Sequence, residues 1–371
     1  MGTASALQHR TIDPNLPIDR GLRLAALRHG KSFLAQLREI WRLQRGPGKL
    51  RPAEYYYYRL YDDTKLSLVD KQQFIGQGLW QGIYRTCNPI EWWGFAHDKL
   101  TFYAFLQGFG LPHPITRAVV HPFRRALGLP LRTPADLAGY LRRASSYPFF
   151  GKPVTGIRSV GVMAARAWDA AQDAIVLDDG TAVAVDEFVQ ELEPYWQDGY
   201  LFQERLAPHS EVGRLCGGRL STVRLIITVE PAGASLHCAL WKIPVGANPA
   251  DNFWRPGNLL AALDPNDGRV TRIIQGVGWD QVEVERHPDT SERLLDTILP
   301  DWPALTALGL EAARAVPRLR LQAWDIALTD RGPTLVEVNI GGDFNLPQLA
   351  HGRGMMDERF RAFVERCKQN G

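Results

Sequence analysis

Ala323-Trp324-Asp325-Ile326-Ala327-Leu328, Thr329-Asp330-Arg331-Gly332-Pro333 and Thr334-Leu335-Val336-Glu337-Val338-Asn339 run on without a break, and their reading decides the fold. Two apolar runs flank a polar turn, which predicts a β-hairpin. Glu337 and Asn339 are two apart, so on a strand they share a face while Val336 and Val338 point the other way. If the hairpin pairs in register, Asp325 reaches that same face from the partner strand. Neither strand supplies a basic residue to neutralise these groups. Two carboxylates and an amide oxygen make an all-oxygen set suited to Mg²⁺ shared with phosphates. The competing reading is a strand whose polar face meets water.

The 371 residues allow a large core and two or three domains. Apolar content of 45% with 22% charged residues is ordinary for a globular protein, and a net charge of +3 argues against a nucleic-acid binder that relies on a basic surface. The four cysteines are scattered without a Cys-x-x-Cys pair, so neither a zinc ribbon nor a disulfide framework is indicated. The sequence has no apolar run of membrane-spanning length, and residues 1–15 lack a signal-peptide core. A cytoplasmic protein is expected.

From Arg20 to Arg45 there are seven Lys or Arg residues and one acid, Glu39, and Phe33, Leu34, Leu37, Ile40 and Trp41 recur at helical spacing. Such a helix can lie on an anionic membrane or dock on a partner. The plainer reading, preferred here, packs it on its own domain or across a homodimer with a solvated basic face. Further along, helices are expected over 20–46, from Pro52, from Asp98 through Phe105, over 134–143 behind a Thr133 cap, and over 186–193, 289–299 and 305–315. The run Tyr55-Tyr56-Tyr57-Tyr58 reads as a stacking platform or as a helix that buries some rings and exposes others. Strands are expected over 116–120, 147–153, 200–206, 221–229 and 234–243. Strands and helices without strict alternation predict an α+β fold.

Lys152-Pro153-Val154-Thr155-Gly156-Ile157-Arg158-Ser159-Val160-Gly161 is a second chemical feature. Gly156 and Gly161 permit close backbone approach and unusual φ, Thr155 and Ser159 add hydroxyls, and Lys152 and Arg158 add charge, a composition suited to a phosphate chain. An ordinary glycine-bearing turn has the same composition. Gln203-Glu204-Arg205-Leu206 is a strand end whose edge and carboxylate can hold a nucleoside, or simply an exposed glutamate. Arg224 lies inside the apolar strand Thr222-Val223-Arg224-Leu225-Ile226, where it needs an anion from a carboxylate or a ligand phosphate.

The order Lys99, Lys152 loop, Glu204, Arg224, Asp325, Glu337, Asn339 resembles the ATP-grasp superfamily over roughly residues 95–350. Asp98-Lys99 with Gly110-Leu111-Pro112-His113-Pro114 resembles its Asp-Lys helix and following turn. Phe150-Gly151-Lys152-Pro153 with Gly156, Ser159 and Gly161 resembles its phosphate-covering loop, Gln203 to Leu206 its adenine hinge, and Asp325 with Glu337-Val338-Asn339 its metal-binding strands. Arg224, Lys242, Asp251-Asn252-Phe253 and Trp324-Asp325-Ile326 resemble the branch associated with sugar-transfer genes, although the Gly-Gly usual near residues 251–258 is missing.

The resemblance implies two α+β subdomains clasping ATP behind a helical N-terminal extension. The segments would be an arm and basic helix at 1–50, a leading region at 51–115, a lid subdomain at 116–205 and a metal-bearing subdomain at 206–371. It implies nucleotide contacts from Lys99, Lys152, Thr155, Gly156, Ser159, Gly161, Gln203, Glu204 and Leu206. Asp325, Glu337 and Asn339 would carry two Mg²⁺ ions, replaceable by Mn²⁺, and Arg224 and Lys242 would act at the reacting centre. The implied activity is ATP-dependent ligation of a small carboxylate to an amine through an acyl phosphate. A small-molecule kinase and a non-catalytic nucleotide-binding protein are the alternatives.

Overall fold

The computed structural model describes residues 6–7, 16–125, 127–156, 160–246, 248, 250–340 and 343–369. Within them lie two seven-stranded sheets. Sheet one contains β1 (Thr116–Val120), β2 (Leu129–Leu131), β3 (Phe149–Pro153), β4 (Met163–Asp169), β5 (Ala174–Leu177), β6 (Ala182–Ala184) and β7 (Tyr200–Glu204), in the order β2-β1-β7-β3-β4-β5-β6. Sheet two contains β8 (Thr222–Glu230), β9 (Gly233–Ile243), β10 (Leu259–Leu263), β11 (Val270–Gln275), β12 (Val282–Glu283), β13 (Leu321–Thr329) and β14 (Gly332–Ile340), in the order β12-β11-β10-β9-β8-β13-β14. The β13–β14 hairpin forms as the sequence pattern predicts, and its register sets Asp325 directly opposite Glu337.

Sheet two is buried on both faces, which explains why β8 and β13 read as continuous apolar runs. Leu225, Ile227, Trp324 and Ile326 pack under the helices Lys99–Gly108 and Trp302–Ala315. On the other face Leu240, Leu260 and Ile274 meet the N-terminal helices, while Ile226 and Ala323 meet the C-terminal helix Glu358–Gln369. The charged residues Arg224, Asp325 and Glu337 sit on this second face.

Several local expectations give way to tertiary contacts. The 20–46 segment is two helices, Ile18–His29 and Phe33–Arg45, parted at Gly30, which takes a left-handed φ of 64°, and at Ser32, which caps the second helix. The tyrosine run is neither platform nor half-exposed helix. All four rings are buried, with Tyr55 and Tyr56 anchored through their hydroxyls to Glu39 and Gln36. The expected helix over 289–299 does not form. Asp296 and Thr297 exchange backbone hydrogen bonds with Val270, and Ser291 and Asp296 adopt positive φ, so pairing beside β11 wins over local helix propensity.

The basic helix packs on its own domain with its arginines exposed, in line with the preferred reading. Ile40 and Leu43 pack inward, but Phe33, Leu34, Leu37 and Trp41 are each more than half exposed. No helix among the described residues is long and apolar enough to cross a membrane.

Candidate functional site

Register alone builds the charged centre. Arg224 on β8 lies opposite Asp325 on β13, which lies opposite Glu337 on β14. Residues directly opposite one another project from the same face. Lys242 on β9 is opposite Thr222, two residues from Arg224, and so joins that face. Asn339 follows Glu337 at period two.

Strand neighbours correct the expectation of an unneutralised oxygen set. Asp325 accepts a two-pronged pair of hydrogen bonds from Arg224, Nε to Oδ1 at 2.7 Å and Nη2 to Oδ2 at 2.8 Å. Lys242 Nζ donates to Oδ2 at 3.1 Å. Burial pushes the Asp325 carboxyl up, yet Arg224 and Lys242 outweigh it and hold the group down at about 2. Burial likewise opposes the charge on Arg224, and Asp325 more than restores it. The anion that Arg224 required is therefore a side chain, and a cavity runs directly beside the pair.

That cavity has a volume of about 880 Å³ and lies between the two sheets, with Asp325, Glu337, Lys242, Lys152, Lys99 and Gln203 among its walls. A volume of this size suits a small-molecule site. Lys152 is carried on the end of β3 and is almost fully enclosed. It donates to the Tyr103 hydroxyl at 2.7 Å, and Tyr103 in turn donates to the Val336 carbonyl at 2.6 Å. Burial lowers the Lys152 pKa to about 8, with Glu337 and Asp325 only partly opposing the shift. Lys99 opens its helix behind the Asp98 cap, reaching the Gly156 carbonyl at 3.2 Å and Glu337 Oε1 at 3.5 Å.

The loop and the hinge are assembled less uniformly. Gly156 lines the cavity, whereas Thr155 is exposed and away from its walls. Ser159 lies outside the described residues. Of the two glycines only Gly161 has a positive φ, 75°, and a side chain there would strike the Tyr195 hydroxyl, so its need for glycine is internal packing. Gln203 and Leu206 line the cavity. Glu204 also lines it, but its Oε1 already accepts from the Ile115 N–H at 3.0 Å and from Arg331 at 2.7 Å.

Asp251 and Thr222 were outside the predicted set, and both line the cavity. Asp251 Oδ2 accepts from the Thr222 N–H at 2.5 Å and hydroxyl at 2.6 Å, with Lys242 Nζ 3.6 Å from Oδ1. Burial raises the pKa of Asp251 despite these neighbours. The 251–258 loop, whose missing Gly-Gly put its role in question, buries Phe253 and Trp254 and is folded by Asn258, which bonds Ala250, Asn252 and Val245. Tyr103 was also overlooked. Its signal was weak, one aromatic among several on an apolar helix.

Among the described residues no three His, Cys, Asp or Glu side chains converge closely enough to hold a metal ion by themselves. Glu337 faces the cavity and has Lys99 Nζ at 3.5 Å from its Oε1, and Asn339 is half-buried beyond it. The Asn339 amide nitrogen lies 3.5 Å from Asp325 Oδ2. Glu337 and the Asn339 amide oxygen fit a hard divalent cation. Asp325 fits as a third ligand once Lys242 yields one oxygen.

A family model described as sugar-transfer associated ATP-grasp matches residues 82–363. Solved structures with a similar arrangement include D-alanyl-alanine synthetase A from Vibrio cholerae, 12% identical with a TM-score of 0.44, covering 74% of this chain and 65% of that one. Another is an L-amino acid ligase from Bacillus licheniformis, 14% identical with a TM-score of 0.41, covering 73% and 48%. A third is N5-carboxyaminoimidazole synthase from Aspergillus clavatus in complex with ADP and 5-aminoimidazole ribonucleotide, 11% identical with a TM-score of 0.41, covering 79% and 58%. The chain thus spans less than two thirds of each of these proteins. A comparison with curated protein sequences found no match. With its two seven-stranded sheets, helical N-terminal region and family match over residues 82–363, this chain belongs to the sugar-transfer associated ATP-grasp family.

Proposed function

We propose that the protein is an ATP-dependent ligase joining a small carboxylic acid to an amine through an acyl phosphate. One observation carries the reading. Lys99, Lys152, Lys242, Asp251, Asp325 and Glu337 line a single cavity between two sheets, with Arg224 bound to Asp325 behind them. That is a setting for moving a phosphoryl group, which calls for positioning and charge neutralisation rather than a protein nucleophile.

Lys152 and Lys99 hold the phosphates, with the Gly156 segment closing over them and Gln203, Glu204 and Leu206 flanking the base. Glu337, Asn339 and Asp325 would hold Mg²⁺, which would supply charge neutralisation for the phosphates. Arg224 and Lys242 steady negative charge where the acid's carboxylate oxygen takes the phosphoryl group. Asp251, kept receptive to a proton by burial, takes one from the amine as its nitrogen attacks the acyl carbon and phosphate departs. The segments assigned are 1–50, 51–115, 116–205 and 206–371, a division supported by the confinement of sheet one to residues 116–204 and sheet two to 222–340.

The test is incubation with ATP, Mg²⁺ and pooled acids, amino acids and amino sugars, followed by a search for a condensed mass. Phosphate release that requires both acid and amine is expected, and Glu337→Gln should abolish it while the protein stays folded. A phosphorylated product formed without any amine would replace ligation with kinase chemistry.

A further inference from the structure

The helix Phe33–Arg45 shows a division of its surface that the ATP site does not use. At about 100° per residue, Gln36, Ile40 and Leu43 fall together on one side and are buried. Phe33, Leu37, Trp41 and Leu34 fall on an adjoining arc and are 55%, 54%, 56% and 60% exposed. Arg45, Arg38 and Arg42 occupy the next arc, also exposed. The Arg45 guanidinium lies 4.3 Å from the centre of the Trp41 ring. The preceding helix adds Leu27, 83% exposed, and the exposed Arg20, Arg23 and Arg28.

A contiguous apolar strip of this kind marks a surface that something covers. We propose that this strip seats the protein on an anionic lipid bilayer, the arginines meeting lipid phosphates and the Trp, Phe and Leu side chains entering the headgroup boundary. Charge complementarity selects this occupant. Glu39, the single acid of the helix, is spent inward on Lys31, Lys71 and the Tyr55 hydroxyl. Among the described residues, Arg38, Arg42 and Arg45 have no carboxylate within ion-pair distance. A second copy meeting this face across a twofold axis uses the same patch twice and so brings the arginines no unspent carboxylate from this helix. A bilayer bearing phosphates offers the opposite charge and an apolar layer beneath it, the combination that basic amphipathic helices recognise.

The experiment is sedimentation of the full chain with vesicles of phosphatidylcholine containing phosphatidylglycerol, and with phosphatidylcholine alone, at low and high salt. Leu37→Glu with Trp41→Glu tests the apolar strip, and Arg38→Glu with Arg42→Glu tests the charge. All four positions are exposed, and circular dichroism of each variant checks that it stays folded. Retention on the anionic vesicles at low salt is expected, falling at least tenfold with either variant pair, with high salt, or without the anionic lipid. Light scattering should find the lipid-free protein unchanged in mass by the substitutions. Absence of retention, or equal retention on both vesicle types, would overturn the proposal. So would a dimer that Leu37→Glu with Trp41→Glu dissolves, since the strip would then be a contact between copies.

Discussion

The two sheets furnish the cavity in different ways. Sheet two contributes charges in a row fixed by the ladder, with Arg224, Asp325 and Glu337 opposite one another and Lys242 closing on Asp325. Arg224, Asp325 and Lys242 satisfy one another without any ligand, while Glu337 pairs with Lys99 and faces the cavity. Sheet one contributes Lys152 from a strand end, held by a tyrosine hydroxyl rather than by a carboxylate, and a short loop at Gly156. The ladder half is preorganised and its stability depends on staying whole. The Lys152 half carries a desolvated cation that an incoming anion would relieve.

The sharpest way to break this contrast is Asp325→Asn. It leaves Arg224 buried without its counter-ion and Lys242 with Asp251 alone, and a loss of about 3–5 kcal/mol is expected in denaturant unfolding. A loss no greater than that of a surface substitution would mean the row does not hold itself together.

Lys152→Met should behave in the opposite sense. The folded pKa of about 8 lies below the ordinary 10.5, so the unfolded chain binds more protons between those values. Stability of the natural protein should therefore rise as pH climbs from 8 toward 10.5, and the penalty is fully present below pH 8. Removing the lysine should flatten that rise, with a gain below pH 8 of at most roughly 3 kcal/mol, while nucleotide affinity falls. Urea midpoints on both sides of the window, with titration of a non-hydrolysable ATP analogue, check both arms. A destabilised variant would show that Lys152 holds the fold together as the ladder charges do.

Glu204→Ala cuts the link from sheet one to Arg331 in the β13–β14 turn and leaves the Ile115 N–H without its acceptor. The partly exposed arginine limits the expected cost to about 1 kcal/mol, read by thermal melting. Gly156→Ala should be the mildest change, within about 0.5 kcal/mol in stability. Its φ is not in the left-handed region, and a new Cβ would meet only Pro153, at ordinary contact distance. A tenfold loss of nucleotide affinity in the same variant would sharpen the assignment of this backbone to the phosphates.

Much of the ladder half was legible because strand period and register are local rules. Two-residue spacing put Glu337 and Asn339 on one face, and a turn between apolar runs aligned Asp325 with them. Arg224 stood out as a charge inside an apolar strand. That its partner would be Asp325 was not legible, because β8 and β13 are separated by about a hundred residues and adjacency between strands is not a local property. Asp251 was named within the stretch resembling the sugar-transfer branch but given no role for the same reason, since its contacts with Thr222 and Lys242 run across a loop. Residues 289–299 misled because their helical spacing was real, yet Leu294 and Leu299 bury their side chains from an irregular segment paired beside β11. The tyrosine run showed its location but not its fate, because packing over sheet two turns all four of its rings inward.

Tyr103 joins three distant parts of the chain through one oxygen, receiving a proton donor from Lys152 and giving its own to Val336, next to Glu337. If Lys152 swings to a phosphate, that oxygen loses a partner in a dry setting, and the bond it donates weakens with it because chained hydrogen bonds polarise one another. Occupancy at the lysine is thereby felt at the neighbour of Glu337. By reciprocity, whatever tightens the Glu337 strand alters how readily the lysine lets go. One phenol is thus enough to couple the two positions energetically, with no hinge or subunit rotation required.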